Sequence, residues 1–495
     1  MGEHGASFSG ESIYDDSDEG SGVVRIAAVA ALGGFLFGYD SAVINGANSA
    51  IQAEFNADAA SLGFAVASAL LGAAVGALIA GRIADHIGRL MVMRIAAILF
   101  LIAALGTGFA PTLWVLVIFR IVGGLGVGIA SVIAPAYIAE IAPAKLRGRL
   151  GSLQQLAIVT GIFISLLVDY LVATAAGGSS NTWWLGLEAW QWMFLFMAIP
   201  AIAYGLLALT IPESPRFLIA KHRIPEAKEI LTGLLGPKNI DAKIDRIRQT
   251  MEREQEPSWH DLKVPGTNRI AGIVWIGLAL SVFQQFVGIN VIFYYSNILW
   301  EAVGFTESQS FVITVISSVI NVLTTLIAIA TIDRLGRKPL LIIGSVGMTI
   351  TLAIMAIIFG TASTCTQVIA DQCTQQNVTD ATPNLYVAIL GSASPVVALI
   401  AANLFVISFG MSWGPVVWVL LGEMFPNRMR AAALSLAAGG QWVANWIITV
   451  SFPSLKDVSL ALAYGLYAFF ALLSFFFVMR FVEETKGKQL EDMHS

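Results

Sequence analysis

The sequence predicts an all-α polytopic membrane protein, with twelve transmembrane helices in two six-helix halves. Three observations predict it. Of 495 residues, 57% are hydrophobic and only 12% charged, against about 25% charged in soluble domains, so most of the surface must face lipid. Mean hydropathy is +0.76. Apolar runs of ~20 residues, the length that crosses ~30 Å of hydrocarbon at 1.5 Å per residue, recur along the chain. The two halves also repeat each other's loops.

The spans fall near 24–46, 60–81, 91–110, 112–134, 152–172, 190–211, 269–298, 309–331, 339–361, 387–421, 431–452 and 459–482. Residues 1–22 form an acidic Gly/Ser-rich tail with no Lys or Arg, the wrong sign for a signal peptide and too polar to fold. Residues 23–211 are the first half and 269–482 the second. Between them, 212–268 carries amphipathic stretches such as Glu226–Leu231 and Ile244–Arg248, so it is expected to form a small helical domain. Residues 483–495 are a terminal tail.

Lys and Arg set the orientation. Arg82, Arg89, Arg94, Lys145, Arg147, Arg149, Arg334, Arg337, Lys338, Arg428 and Arg430 flank one set of loops, and the other set carries only Lys456. Both termini and the insert are therefore expected in the cytoplasm, with the protein in the plasma membrane (the inner membrane of a bacterium). Cys365 and Cys373 share an outer loop with the Asn377-Val378-Thr379 sequon, where a disulfide or two free thiols are equally open. The net charge of −5 gives no reason to expect nucleic acid. No metal-ligand cluster and no nucleophile–base pair stands out, so no enzyme, metal or cofactor is expected. Gly124-Leu125-Gly126-Val127-Gly128 resembles a nucleotide loop only superficially; inside a span, it reads as close helix packing.

The internal repeat is specific. Gly81-Arg82…Gly88-Arg89 after span 2 is echoed by Asp333-Arg334-Leu335-Gly336-Arg337 after span 8. Glu140, followed by Arg147, is echoed after span 10 by Glu423, followed by Arg430, at the same seven-residue spacing. Transporters are often built this way, with the solute site between the halves.

With those loops, the strings Phe37-Gly38-Tyr39-Asp40, Pro212-Glu213-Ser214-Pro215-Arg216, Gln284-Gln285-Phe286-Val287-Gly288-Ile289-Asn290 and Glu483-Glu484-Thr485-Lys486-Gly487 make the chain resemble the sugar porters of the major facilitator superfamily. The likeness covers all but the acidic tail and the outer loop. It implies a monomeric carrier that works by alternating access on a monosaccharide, with the lipid bilayer and protons as its other partners.

Two ionisable residues lie deep in spans, where charge is expensive and usually functional. Asp40 is fifteen residues past Arg25, roughly 22 Å from the inner surface, and Arg120 reaches a similar depth. A carboxylate that exchanges an arginine for a proton is a minimal coupling device. The resemblance supports this use, since proton-coupled sugar porters carry Asp in that string and facilitative animal carriers a neutral residue. A static ion pair in a facilitative uniporter is the alternative.

A sugar needs amides for its hydroxyls and an aromatic face for its C–H side. The candidates are Gln155, Gln284, Gln285, Asn290, Tyr294, Trp413, Gln441, Trp442 and Asn445, and the resemblance adds Phe37. Gln284, Gln285, Asn290 and Tyr294 converge only if span 7 is interrupted near Gly288. Ile162 and Phe293 match the residue types of animal glucose carriers rather than those of the bacterial xylose porter, which favours D-glucose or a close hexose over a pentose. Arg89, Glu140, Arg147, Glu213, Arg337, Glu423 and Arg430 are, by resemblance, salt bridges that latch the halves together in the outward-facing state.

Overall fold

The computed structural model describes residues 20–141, 147–237, 239–253, 262–264, 266–364, 385–387, 393–426 and 429–485. The acidic tail, Cys365, Cys373, the Asn377 sequon, and the side chains of Arg147 and Arg430 lie outside the described residues.

The first half runs α1 (Gly20–Ala42) and α2 (Ile44–Glu54), α3 (Ala59–Ile87), α4 (Arg89–Gly108), α5 (Leu113–Ile141), α6 (Arg147–Ala176), then α7 (Ala189–Leu195) with α8 (Ala198–Leu207). The insert holds α9 (Pro215–Ala220), α10 (Ile224–Leu235) and α11 (Ile240–Arg253). They close a small apolar core of their own, built from Phe217, Leu218, Ala227, Leu231, Ile240 and Ile244. The second half runs α12 (Gly272–Phe286) and α13 (Ile289–Ala302), α14 (Glu307–Leu335), α15 (Arg337–Gly360), α16 (Ser394–Gly410) with α17 (Trp413–Met424), α18 (Arg430–Val458) and α19 (Leu460–Phe481). Among the described residues, eleven helical runs are long and apolar enough to cross a bilayer. The twelfth span is α18, long enough at 29 residues but made more polar by Gln441 and Asn445.

Several boundaries differ from the sequence reading. The helices outrun the hydrocarbon, because their backbone bonds are satisfied internally wherever they go. Thus α3 continues to Ile87, α5 to Ile141 and α6 to Ala176. Gly88 and Gly336, at φ +96° and +91°, stop α3 and α14 in a conformation that L side chains avoid. Span 1 is jointed at Val43 and continues to Glu54, a run of 33 residues. Span 10 starts at Ser394 rather than near 387 and is divided at Met411–Ser412. Residues Leu385–Val387 form instead a short antiparallel strand (β2) against Ala362–Thr364 (β1), and isolated bridges join Thr182 to Glu188 and Lys263 to Ile270.

Small residues allow the helices to close. A Cβ on Gly124 would stand 1.9 Å from the Ala69 carbonyl of α3, so that glycine run is helix packing, as its position inside a span implied. Between the halves, α3 packs on α18 and α6 on α14. Asp58 caps α3 by accepting from the Ser61 N–H at 2.8 Å, and the hydrogen bonds from Ser61 hold its carboxyl below the usual range.

Candidate functional site

Span 7 is interrupted where the sequence reading needed it to be. Gly288 takes φ +82° between α12 and α13, and a Cβ there would come within 2.5 Å of the Tyr467 ring. The break lets the end of α12 and the start of α13 present polar groups together. The Gln284 amide donates to the carbonyls of Trp413 (2.9 Å) and Gly414 (3.1 Å), and its Oε1 accepts from Gln441 Nε2 (2.8 Å) and Gln285 Nε2 (3.4 Å). Asn290 donates to Gln285 Oε1. Gln284 is therefore saturated and buried, while Asn290 and Gln441 at the ends of the chain are half-buried. Such a row offers both donors and acceptors to a polyol.

Trp413 enters this row by its backbone. Its indole N–H donates to the Leu341 carbonyl (3.1 Å) and Ser345 Oγ (3.0 Å), and the ring is fully buried against α15. Trp442, the other tryptophan expected at the site, is half-buried and 6.1 Å from the ring of Phe37 in the other half. Gln155 and Ile162 sit half-buried on α6, and Asn445 is buried on α18, its Oδ1 accepting from Thr449 (3.0 Å). Phe293 is buried, and its carbonyl accepts from Asn45 (3.0 Å).

Tyr294 connects this row to the first half. Its hydroxyl lies near the side chains of Asn445 and Ser41, and near Asp40 and Arg120. Those two residues, each 2% exposed, meet where α1 crosses α5. Arg120 donates to the backbone carbonyl of Asp40 at 2.7 Å, whereas its nearest approach to the carboxylate is 3.7 Å, and Oδ2 has no partner. The guanidinium is thus held beside the carboxylate without being spent on it. Gly123 makes the room, since a Cβ there would stand 2.8 Å from Asp40 Oδ1.

At the face opposite the basic loops, asparagines clasp the halves together. Asn45 and Asn48 on α2 donate to the carbonyls of Phe293 (3.0 Å) and Tyr294 (2.6 Å) on α13, and the Asn297 N–H returns a bond to Asn45 Oδ1 (3.0 Å). Ser49 donates to Glu301 (3.1 Å), and the Ser179 N–H to Glu307 (3.0 Å). All of these run from one half to the other.

At the basic face the pairs Arg89–Glu140 and Arg337–Glu423 each lie within one half, and the repeat is exposed as geometry. Arg89 grips Glu140 with two bonds (3.0 and 3.1 Å), and the Glu213 carboxylate caps α4 through the N–H groups of Arg89 and Leu90. Arg337 grips Glu423 with two bonds (2.6 and 3.0 Å), and Glu484 caps α15 through Arg337 and Lys338 N–H. Each cap fits because the preceding residue is Gly88 or Gly336; a Cβ would sit 2.4 Å from Glu213 Oε2 or 2.7 Å from Glu484 Oε2.

Sequence reasoning missed Glu484, although it follows span 12 as Glu213 follows span 6. It also missed the Asn45 and Asn48 clasp, which had no charge or period to flag it. Asp169 was passed over because span 5 was ended near residue 172; the helix runs to Ala176, and Asp169 is completely buried.

Two six-helix halves, joined at one face and enclosing a row of amides beside a buried ion pair, define a membrane carrier for a small polyhydroxy solute. The family model for sugar (and other) transporters matches residues 26–495, and the chain belongs to that family. It is 53% identical over 473 residues to a glucose transport protein of Synechocystis sp., covering 95% of this chain and 97% of that one. It is 35% identical over 511 residues to the D-xylose-proton symporter of Escherichia coli K12, covering 96% and 95%. Among solved structures, a partially occluded inward-open conformation of the xylose transporter from E. coli matches with a TM-score of 0.77 at 34% identity, over 95% of this chain and 100% of that one.

Proposed function

We propose that the protein is a proton-coupled symporter that brings a monosaccharide, D-glucose or a close hexose, into the cell. The basic face and both termini lie in the cytoplasm by the charge rule, and the clasped face is then the outer one. The observation that carries the coupling is the buried Asp40–Arg120 pair, one carboxylate oxygen unpartnered, on the helix α1 that packs against α13 beside the amide row. The likeness to a glucose transport protein supports hexose, and that to a xylose-proton symporter supports protons.

The geometry suggests how the two are exchanged. Arg120 keeps its bond to the Asp40 carbonyl when the carboxylate takes a proton, but its Nε has no partner and the guanidinium then loses its counter-ion. Protonation therefore opens a buried ion pair, a change of roughly several kcal/mol that conformational change must accommodate. Sugar bound across Gln284, Gln285, Asn290, Gln441 and Asn445 in one half, and Phe37, Gln155 and Ile162 in the other, draws the halves together. Phe293 and Tyr294 lie where the outer clasp meets this row. The test is a panel of unlabelled sugars competing with labelled glucose in proteoliposomes, with and without a pH gradient. Glucose should compete best and the gradient should drive accumulation; competition by xylose alone, or uptake indifferent to the gradient, contradicts the reading.

A further inference from the structure

Asp169 is a second carboxyl inside the membrane, and the exchange just described does not use it. It sits on α6 about seven residues, roughly 10 Å, from the helix's outer end and is 0% exposed. Its Oδ2 accepts from the N–H of Gly46 at 3.2 Å, while Oδ1 has no partner. Gly46 is the third residue of α2, where backbone N–H groups lack an intrahelical acceptor. Only glycine permits this approach, since a Cβ at 46 would stand 2.6 Å from Oδ2, Cγ and Cβ of Asp169. The same short helix carries Asn45 and Asn48 onto α13. Asp169 is therefore attached to the element that holds the outer face shut.

Among the described residues, no cation faces it. The helices packed on α6 are α1, α2, α5, α7 and α14. On α1, Tyr39 lies within electrostatic reach of Asp169, and Asp40 is committed to Arg120 of α5. Glu140 of α5 is bonded to Arg89 at the basic face, Glu54 is exposed at the end of α2, and α7 has no charged residue. On α14, Glu307 accepts from Ser179, and Arg334 lies at the basic end. An ionised carboxylate so placed would be a buried charge without a counter-ion, whereas the neutral acid strands one oxygen at most.

We propose that Asp169 is a second proton-binding site of the carrier, occupied while the outer face is shut and emptied when α2 leaves α13. The proton comes from solvent and forms an O–H bond at Oδ1, leaving Oδ2 on Gly46. This rests on the symporter reading above, but its test does not need net proton transport.

Labelled-sugar counterflow at equal pH on both sides, from acid to alkaline, isolates the site. In Asp40→Asn the rate should still change with pH. In Asp40→Asn with Asp169→Asn that titration should disappear, the rate remaining at the acid limit of Asp40→Asn, because an amide in place of the second carboxyl imitates the protonated acid at every pH. Superimposable profiles for the two variants would overturn the proposal. If the double variant fails a sugar-dependent thermal-stability check, Asp40→Asn with Asp169→Glu decides. A displaced midpoint supports the site, and an unmoved one overturns it. Failure of the coupling reading is seen separately, as accumulation by Asp40→Asn alone.

Discussion

The two halves are alike at the basic face and unlike in the middle. Arg89–Glu140 with its Glu213 cap and Arg337–Glu423 with its Glu484 cap are one device used twice. Inside, the first half buries the ionisable groups Asp40, Arg120 and Asp169 beside the amides Asn45, Asn48 and Gln154, while the second buries the amides Gln284, Gln285 and Asn445. Duplication thus preserved the part that caps helices against each other and released the part that meets solute. In the reading proposed above, the proton site lies in the first half and most of the sugar's hydrogen-bonding groups in the second. Coupling in that reading crosses the seam, where Phe37 meets Trp442 and the asparagine clasp joins α2 to α13.

The largest expected effect lies on the amide side. Gln284→Leu removes four bonds and leaves the Gln441 and Gln285 amides without their acceptor. At about 3 kcal/mol for such a loss, sugar affinity should fall roughly 100-fold in a binding titration. Unchanged affinity would remove the second half's claim to the sugar.

The caps come next. Glu140→Gln and Glu423→Gln each break a two-bond ion pair that is largely buried on the arginine side, and each should lower stability by about 1–3 kcal/mol. Thermal denaturation in detergent should show similar drops. A drop for one alone would mean that the echo is shape without shared energetics.

Asn48→Ala removes a clasp bond of about 1 kcal/mol, shifting the balance between conformations about five-fold away from the shut outer face. Distances between spin labels on α2 and α13 should lengthen in that proportion of molecules. The smallest effect belongs to Phe37→Leu, which gives up an aromatic contact of about 1 kcal/mol and should raise the half-saturating sugar concentration a few-fold.

What was legible in the sequence follows from how each feature is encoded. Apolar length gives the spans directly, and Gly288 announced its break because no other residue takes that φ so cheaply. The joint at Val43 carries neither glycine nor proline, whereas that at Ser412 lies between Gly410 and Gly414-Pro415, a signal the sequence reading did not use. The amides were found as residue types, but not that the Trp413 indole would be taken by Leu341 and Ser345. That depends on which face of α17 meets α15. Asp169 shows the same limit, since its burial depends on where a helix ends, which apolar length does not determine.

The division of work between the halves is tested most directly by Asp40→Asn in proteoliposomes, measured two ways on one preparation. Accumulation of labelled glucose driven by an inward proton gradient should be lost, while counterflow against unlabelled glucose persists near the parent rate. Accumulation equal to the parent's would show that the proton does not travel by Asp40, and loss of counterflow as well would place this carboxyl in the sugar's path.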